Sequence, residues 1–298
     1  MRIGIALDER GRTLDEVVGW ARAAAEAGLA GIWLGEHRGW DPLTTLALIG
    51  REVPGIELGT AVALTYPQHP FTMAAHALTV QAATGGRLRL GIGPSHAPLI
   101  EGQYGYPFER PARHVREYLE VLGPLLRGED VAYDGAAVHA AGSVQAPGAQ
   151  APPLLLAALG PVMLRIAGEL ADGTVTAWAG PEAIADHVVP RITRAAEAAG
   201  RPAPRIIAGP LVMVTNDADD ARRRISEGLG VAMSMPSYKA ILERGGASDV
   251  TDVVAVGDEK TVERELRRYT DAGATDLIAA LYGTPEEQRR TLETVAAL

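Results

Sequence analysis

Short apolar runs alternate along this chain with longer stretches in which apolar residues recur every three or four positions. The short runs are typical of buried strands and the longer stretches of amphipathic helices. Eight apolar runs stand out, beginning near Arg2, Gly31, Ile56, Leu88, Leu154, Thr174, Ile206 and Thr275. Strict alternation of strand and helix predicts a parallel sheet covered by helices, and eight units predict a closed (β/α)8 TIM barrel.

Residues at the helix boundaries support this assignment. Residues 13–16 form a capping-box pattern, and Asp41-Pro42 supplies an N-cap residue followed by proline at the first helical position. Residues 284–287 likewise place an N-cap threonine before a proline at the start of the last helix. Three helices are expected to stop at a glycine, which enters a left-handed turn without a Cβ clash. These glycines are Gly28, Gly200 and Gly273.

Two connections are longer than a barrel requires. Residues 97–150 contain a predicted helix at Arg113–Leu126 and a predicted β-hairpin around Asp134-Gly135. Residues 226–250 contain an extra segment rich in Met, Ser, Pro and Gly, which we interpret as a lid. The chain is therefore predicted to be a single domain, residues 1–298, with insertions after the fourth and seventh strands.

Composition and charge exclude several classes of protein. The 298 residues include 28 basic and 37 acidic side chains, a net charge of −9, whereas a general nucleic-acid binder needs a basic face. The chain has no cysteine, which excludes disulfides, thiolate nucleophiles and Cys-ligated metal sites. No apolar run is long enough to span a bilayer. We therefore expect a cytoplasmic protein that associates with neither nucleic acid nor membrane.

The ends of the predicted strands offer few chemical groups, and a TIM barrel places its chemistry there. The histidines His37 and His96 lie at such ends, and Trp40 and Trp178 are candidate walls of a substrate pocket. The chain lacks an HExxH motif, a carboxylate pair at the fourth and seventh strand ends, and a lysine near any strand end. These absences argue against metalloprotease, glycoside hydrolase and Schiff-base chemistry, and we predict no metal site. An apolar mouth with two histidines suits a flat cofactor that supplies its own chemistry.

Several stretches, taken in their order and spacing, resemble the luciferase-like monooxygenase superfamily. Within it the chain is similar to oxidoreductases that use the deazaflavin coenzyme F420. The matching segments are WDPLTTLALIG (40–50), IELGTAVALTYPQHP (56–70), GGRLRLGIGPSH (85–96), RPARHVREYLEVLGPLLRGE (110–129), PPLLLAALGPVMLRIAGELADG (152–173) and VGDEKTVERELRRYTDAGATD (256–276). The resemblance implies hydride transfer between coenzyme F420 and a small organic substrate.

The resemblance also implies roles for individual residues. His37 is expected near the reactive ring, with Glu36 orienting it or its loop. His96 stands where some relatives carry a catalytic glutamate, which makes it the second candidate proton donor. The peptide Ala61-Val62 aligns with a non-proline cis peptide that supports the ring in relatives.

Two glycine-containing turns are the remaining candidates for cofactor contacts. The turn with Gly91, Gly93 and Ser95 lacks the third glycine of a dinucleotide fingerprint, and the resemblance implies that it lies against the cofactor. A second turn begins a helix, where free N–H groups can bind an anion, and the resemblance implies that it holds the phosphate-bearing tail. Its candidate residues are Ala158, Leu159, Gly160, Pro161 and Met163.

Two alternatives remain open at this point. One is an FMN-dependent luciferase-like monooxygenase, and the other is a non-catalytic protein that binds a flavin or deazaflavin. A barrel fold alone does not distinguish them, because barrels support many chemistries. We also expect a homodimer, since most soluble oligomers are symmetric dimers.

Overall fold

A computed structural model describes residues 2–298, with the backbone alone for Val231. Thirteen strands lie within this range: β1 (Arg2–Leu7), β2 (Gly31–Leu34), β3 (Glu57–Thr60), β4 (Ala63–Leu64), β5 (Leu88–Gly93), β6 (Val131–Asp134), β7 (His139–Gly142), β8 (Leu154–Ala157), β9 (Gly173–Ala177), β10 (Arg205–Gly209), β11 (Leu211–Val214), β12 (Ala255–Gly257) and β13 (Asp276–Leu281). All except β6 and β7 belong to one sheet.

Twelve α-helical segments lie within the same range: α1 (Leu14–Glu26), α2 (Pro42–Glu52), α3 (Pro70–Ala83), α4 (Ala97–Leu99), α5 (Pro111–Leu126), α6 (Pro161–Leu170), α7 (Pro181–Ala183), α8 (Val189–Ala198), α9 (Ala218–Met233), α10 (Pro236–Arg244), α11 (Glu259–Asp271) and α12 (Pro285–Ala296). Two π-helical turns, Ile100–Tyr104 and Ile184–Val188, follow α4 and α7, and Val250–Asp252 forms a 3₁₀ turn. In the described part of the chain, no helix has the length and apolar character needed to span a membrane.

The sheet closes on itself through parallel pairing of β1 with β13. The order around the barrel is β1, β2, β3, β5, β8, β9, β10 and β13, and each neighbouring pair is parallel. The closing register pairs Arg2 with Asp276 and Ala6 with Ala280. The predicted (β/α)8 TIM barrel is confirmed.

The predicted third and seventh strands are each interrupted near the C-terminal end of the barrel. A cis peptide at Ala61-Val62 separates β3 from β4. Pro210 separates β10 from β11, because proline has no N–H to contribute to a strand ladder. Beyond Pro210, β11 pairs with β13 on one side and with β12 on the other, so β12 adds an extra strand near the mouth.

Local sequence signals agree with the observed boundaries. Thr13 and Thr284 each form a complete capping box, and the side chain of Asp41 accepts from Thr44 N at 2.7 Å. The three predicted stop glycines all have positive φ: Gly28, Gly200 and Gly273. The predicted hairpin is present as β6 and β7, with a four-residue loop between Asp134 and His139.

The two ends of the barrel have opposite chemistry. At the N-terminal end, the buried carboxylates of Glu57 and Asp276 form ion pairs with Arg2, Arg89 and Arg205, which come from three further strands. The interior above them is apolar, with Trp33, Leu155, Val175, Ile207 and Ile278 packed together. Ala6, Ala61 and Val62 cover this cluster toward the mouth. The mouth is therefore the end that can accept an organic ligand.

Candidate active site

The floor of the mouth is made of small apolar groups around the cis peptide. Ala61 N donates to Leu34 O at 2.8 Å, and Glu36 N donates to Val62 O at 3.2 Å, so the end of β2 and the loop after it bond to both residues of the cis peptide. A Cβ at Gly93 would lie 2.9 Å from Val62 Cγ2 and 3.0 Å from Ala157 Cβ. Glycine at this position therefore lets the bulge pack against β5 and β8. The predicted cis geometry of Ala61-Val62 is confirmed.

Gly91 is buried in the barrel wall, where it has a structural role. A Cβ there would overlap the carbonyl oxygen of Thr60. The Thr60 hydroxyl donates to Gly91 O at 2.6 Å and accepts from Gly91 N at 2.8 Å, which joins β3 to β5. Of the predicted glycine turn, Gly93 and Ser95 lie nearer the mouth.

His37 lies beside a buried carboxylate that comes from another strand end. Its Nδ1 is 3.3 Å from Glu9 Oε2, and Glu9 is only 2% exposed. A Cβ at Gly35 would overlap the His37 ring, so this glycine allows the ring to fold back over β2. The other oxygen of Glu9, Oε1, is buried without a hydrogen-bond partner. Glu9 therefore orients the His37 ring and retains an unused acceptor.

Asp8 adds a second carboxylate to this region, but its oxygens are already bonded. Ligand atoms of Asp8, Glu9 and His37 lie within 4.8 Å of one another, a spacing that could hold a metal ion. Arg10 donates to both carboxylate oxygens of Asp8, at 2.8 and 2.6 Å. Burial would raise the pKa of Asp8, but these bonds outweigh burial and hold it below its usual value. The arrangement favours a Glu–His pair over a metal site.

Glu36 serves the loop rather than the neighbouring imidazole. Its Oε2 accepts from Leu64 N at 2.8 Å, which ties the end of β2 to β4 just after the cis peptide. Burial raises the pKa of Glu36, and the bond from Leu64 opposes that shift only in part. The residue that bonds to His37 is Glu9, which is not among the site residues predicted from the sequence.

His96 lies in aromatic surroundings under α10. Its ring is 4.9 Å from that of Tyr238, which in turn is 4.2 Å from the ring of Trp178. His96 Nδ1 is 3.4 Å from the hydroxyl of Ser237. Burial lowers the pKa of His96 and raises that of Tyr238, so both groups favour their neutral forms. The segment that contains α10 thus covers this side of the mouth.

A third histidine, which the sequence did not single out, lies behind the floor. His114 Nε2 is 3.0 Å from the Thr65 hydroxyl, and its ring stacks on Tyr66 with centroids 4.0 Å apart. Burial lowers the pKa of His114 to about 4. The hydroxyl of Tyr66 is buried without a hydrogen-bond partner, so a polar group could still be accommodated there.

The turn between β8 and α6 presents an uncapped helix N-terminus. Gly160 is the N-cap residue without a side-chain bond, and Pro161 occupies the first helical position. Val162 is 47% exposed, and no Cβ contact lies within 4 Å at Gly160, so the turn is open. The side chain of Ala158 is buried, and those of Leu159 and Met163 pack partly against the core. The backbone of this turn, rather than its side chains, is available to a ligand.

Trp40 lies on the rim of the mouth. Its indole Nε1 donates to Arg12 O at 2.9 Å, and the side chain is still 44% exposed. The bond joins the loops that follow β1 and β2. Trp40 and Trp178 therefore lie on different sides of the opening, with only Trp178 beneath α10.

Comparison with known proteins identifies the family. The model of the luciferase-like monooxygenase family matches residues 1–298. The chain belongs to this family. Both the predicted family and the prediction that the protein is an oxidoreductase of that family are confirmed.

Relatives within the family differ in chemistry. The chain is 27% identical to a 5,10-methylenetetrahydromethanopterin reductase from Methanolobus tindarius, over 82% of the chain and 76% of that protein. The structure of the coenzyme F420-dependent tetrahydromethanopterin reductase from Methanopyrus kandleri superposes with a TM-score of 0.83, 24% identity and coverage of 99% and 97%. The oxygenating constituent of 3,6-diketocamphane monooxygenase from Pseudomonas putida, in complex with FMN, superposes with a TM-score of 0.78, 19% identity and the same coverage. These two structural likenesses establish the shared fold.

Proposed function

We propose that this protein transfers a hydride between coenzyme F420 and a small organic substrate bound at the barrel mouth. The observation that carries the proposal is the Glu9–His37 pair at the edge of the small apolar floor around Ala61-Val62. The floor suits a flat ring, and the pair provides a place for a proton beside it. The relatives named above as reductases support the same chemistry.

The residues fit both parts of this cofactor. The floor of Ala61, Val62, Gly93 and Ala157 has no bulky side chain, which leaves a flat ring system room to lie on it. The uncapped first turn of α6 offers free N–H groups and the positive end of a helix dipole to a phosphodiester. The cofactor, when bound, would supply the two-electron hydride chemistry.

The protein's own residues would bind the substrate, orient it and transfer a proton to or from it. Glu9 accepts from Nδ1 of His37, so Nε2 is the nitrogen free to face the substrate and to hold or release a proton. The aromatic group of Trp178 and Tyr238 would exclude water from the opposite side. His96, held neutral by its apolar surroundings, is the second candidate group for binding a substrate oxygen.

The test is a titration of the purified protein with coenzyme F420, FMN and NADPH, followed by fluorescence or calorimetry. We expect coenzyme F420 to bind in the submicromolar to micromolar range and NADPH not to bind measurably. Tight FMN binding without F420 binding, together with oxygen consumption in the presence of reduced FMN, would replace the proposal with the monooxygenase alternative. Tight F420 binding without turnover on any of a panel of carbonyl, imine and alkene substrates would favour the non-catalytic alternative.

A further inference from the structure

His187 is a buried titratable residue outside the site described so far. It lies in the π-helical turn Ile184–Val188 between α7 and α8 and is only 4% exposed. Burial lowers the pKa of His187, the hydrogen bond to Leu159 opposes that shift in part, and Arg191 and Arg244 add to the lowering, which favours the neutral ring. Such π-helical turns are uncommon and occur often at functional sites.

The imidazole of His187 bonds to the turn that begins α6. Its Nε2 lies 2.8 Å from the carbonyl oxygen of Leu159. Because a carbonyl can only accept, Nε2 carries the hydrogen and donates it. Leu159 immediately precedes Gly160, the N-cap residue of α6. One hydrogen bond therefore joins the π-helical turn to the peptide that sets the direction of the α6 N-terminus.

The surrounding chain holds His187 in place for this contact. Pro190 has no N–H, so the helical bond to the carbonyl of Asp186 is missing, and Arg191 Nη1 donates to Asp186 O at 3.3 Å and to His187 O at 3.1 Å instead. Farther along, a Cβ at Gly168 of α6 would lie 2.7 Å from Ala195 Cβ of α8. The close packing of α6 on α8 fixes the helix axis, and His187 fixes its first turn.

We propose that His187 is a positioning residue, which holds the Leu159 carbonyl so that the free N–H groups of Val162 and Met163 converge on an anionic group of the cofactor. This inference rests on the proposed function, because the anion is taken to be the phosphate of the coenzyme F420 tail. The proposal predicts that binding of the tail and binding of the ring respond differently when His187 is replaced. Loss of the bond should weaken binding of the tail and leave binding of the ring unchanged.

The experiment compares two ligands across three variants. His187→Leu removes the donor at similar volume, His187→Gln retains an N–H at a similar reach, and His76→Leu changes a histidine on the exposed face of α3. Affinity is measured for coenzyme F420 and for the same deazaflavin with its ribityl chain but no phosphate tail. For His187→Leu we expect F420 affinity to fall on the order of 10-fold, since the Leu159 carbonyl loses its partner. The tail-less compound should bind all variants within about twofold, and His187→Gln should recover most of the F420 affinity.

A second measurement does not depend on any cofactor. Leu164 N donates to Gly160 O at 2.9 Å, the first bond within α6. In the ligand-free protein, hydrogen exchange at Leu164 should be faster in His187→Leu than in wild type and His187→Gln. Equal losses of affinity for both ligands, or unchanged exchange at Leu164, would overturn the assignment. If the wild-type protein binds no F420, the proposed function fails, and the exchange data still decide whether His187 positions the turn.

Discussion

The two histidines of the mouth occupy opposite environments, although both follow a strand of the same barrel. His37 contacts the buried carboxylate of Glu9, whereas the neighbours of His96 are Tyr238 and the hydroxyl of Ser237. The carboxylate gives His37 a hydrogen-bond acceptor, whereas burial among aromatic rings lowers the pKa of His96. From this difference we expect His37 to transfer the proton, and His96 to shape the pocket and exclude water from it.

The largest expected effect separates these two roles. His37→Ala should lower turnover by about 10²–10⁴-fold, the usual contribution of a general acid or base. His96→Ala should lower turnover much less and should act mainly on KM for the substrate, because His96 packs with Tyr238 and Trp178 as a wall of the mouth. Steady-state kinetics on any accepted substrate, with F420 affinity as the control for folding, measures both. Equal and wild-type-like turnover in the two variants would mean that neither histidine transfers a proton.

A second prediction examines whether the carboxylate causes the difference. Glu9→Gln keeps the shape but removes the charge beside His37, and we expect turnover to fall about 10-fold. In a His37→Ala background the same substitution should have almost no further effect, because coupled residues are not additive. Asp8→Asn is the matched control. Both oxygens of the Asp8 carboxylate accept hydrogen bonds from Arg10, so this substitution should lower turnover less than threefold. Additive losses for Glu9 and His37 would indicate that the contact has no role in the reaction.

The smallest expected effect concerns His114, another histidine among aromatic rings. Its pKa is about 4 in the folded protein and near 6.5 in the unfolded chain. As pH falls from 6.5 toward 4, the unfolded chain binds a proton that the folded protein does not, so stability is lost over that window. We expect a loss of roughly 1–2 kcal/mol, allowing for partial exposure of the ring.

Urea unfolding at several pH values compares wild type with His114→Phe, which keeps the ring stacked on Tyr66. The variant should differ from wild type by a constant offset above pH 6.5 and should lack the additional decline below it. His76→Phe, on an exposed helix face, should retain the decline. An identical pH dependence in wild type and His114→Phe would show that aromatic surroundings do not keep this histidine neutral.

Local features of the chain followed most directly from the sequence. The helix caps at Thr13, Asp41 and Thr284 depend on side chains within three residues of the bonds they make, so the pattern determines the structure directly. The cis peptide at Ala61-Val62 was predicted from resemblance rather than from physics, because local preference favours the trans form. The extra segment within residues 226–250 was visible in the sequence, but its contacts with His96 were not.

Contacts within the candidate site join residues that are close in space but far apart in the chain. Glu36 was expected to orient His37 or its loop, and its carboxylate bonds to the loop at Leu64 N, while the partner of His37 is Glu9, 28 residues away. Glu36 and His37 both lie in the loop after β2, where Glu36 accepts from Leu64 N and the His37 ring folds back toward Glu9. The recoverable signal was the pair Asp8-Glu9 at the end of the first strand, since β1 and β2 are neighbours in any barrel of this order.

The sequence by itself determined the order of strands and helices, their caps and the apolar interior, because periodicity and capping act over a few residues. The tertiary structure decided which side chains meet at the mouth. Ser95 and Trp178 adopt positive φ, a conformation that non-glycine residues seldom take, and Arg38 does the same directly after His37. Such turns redirect the chain in ways that local preference does not predict. Barrel closure then brings Ser237 to His96 across 141 residues, a contact that exists only once all the strands are paired.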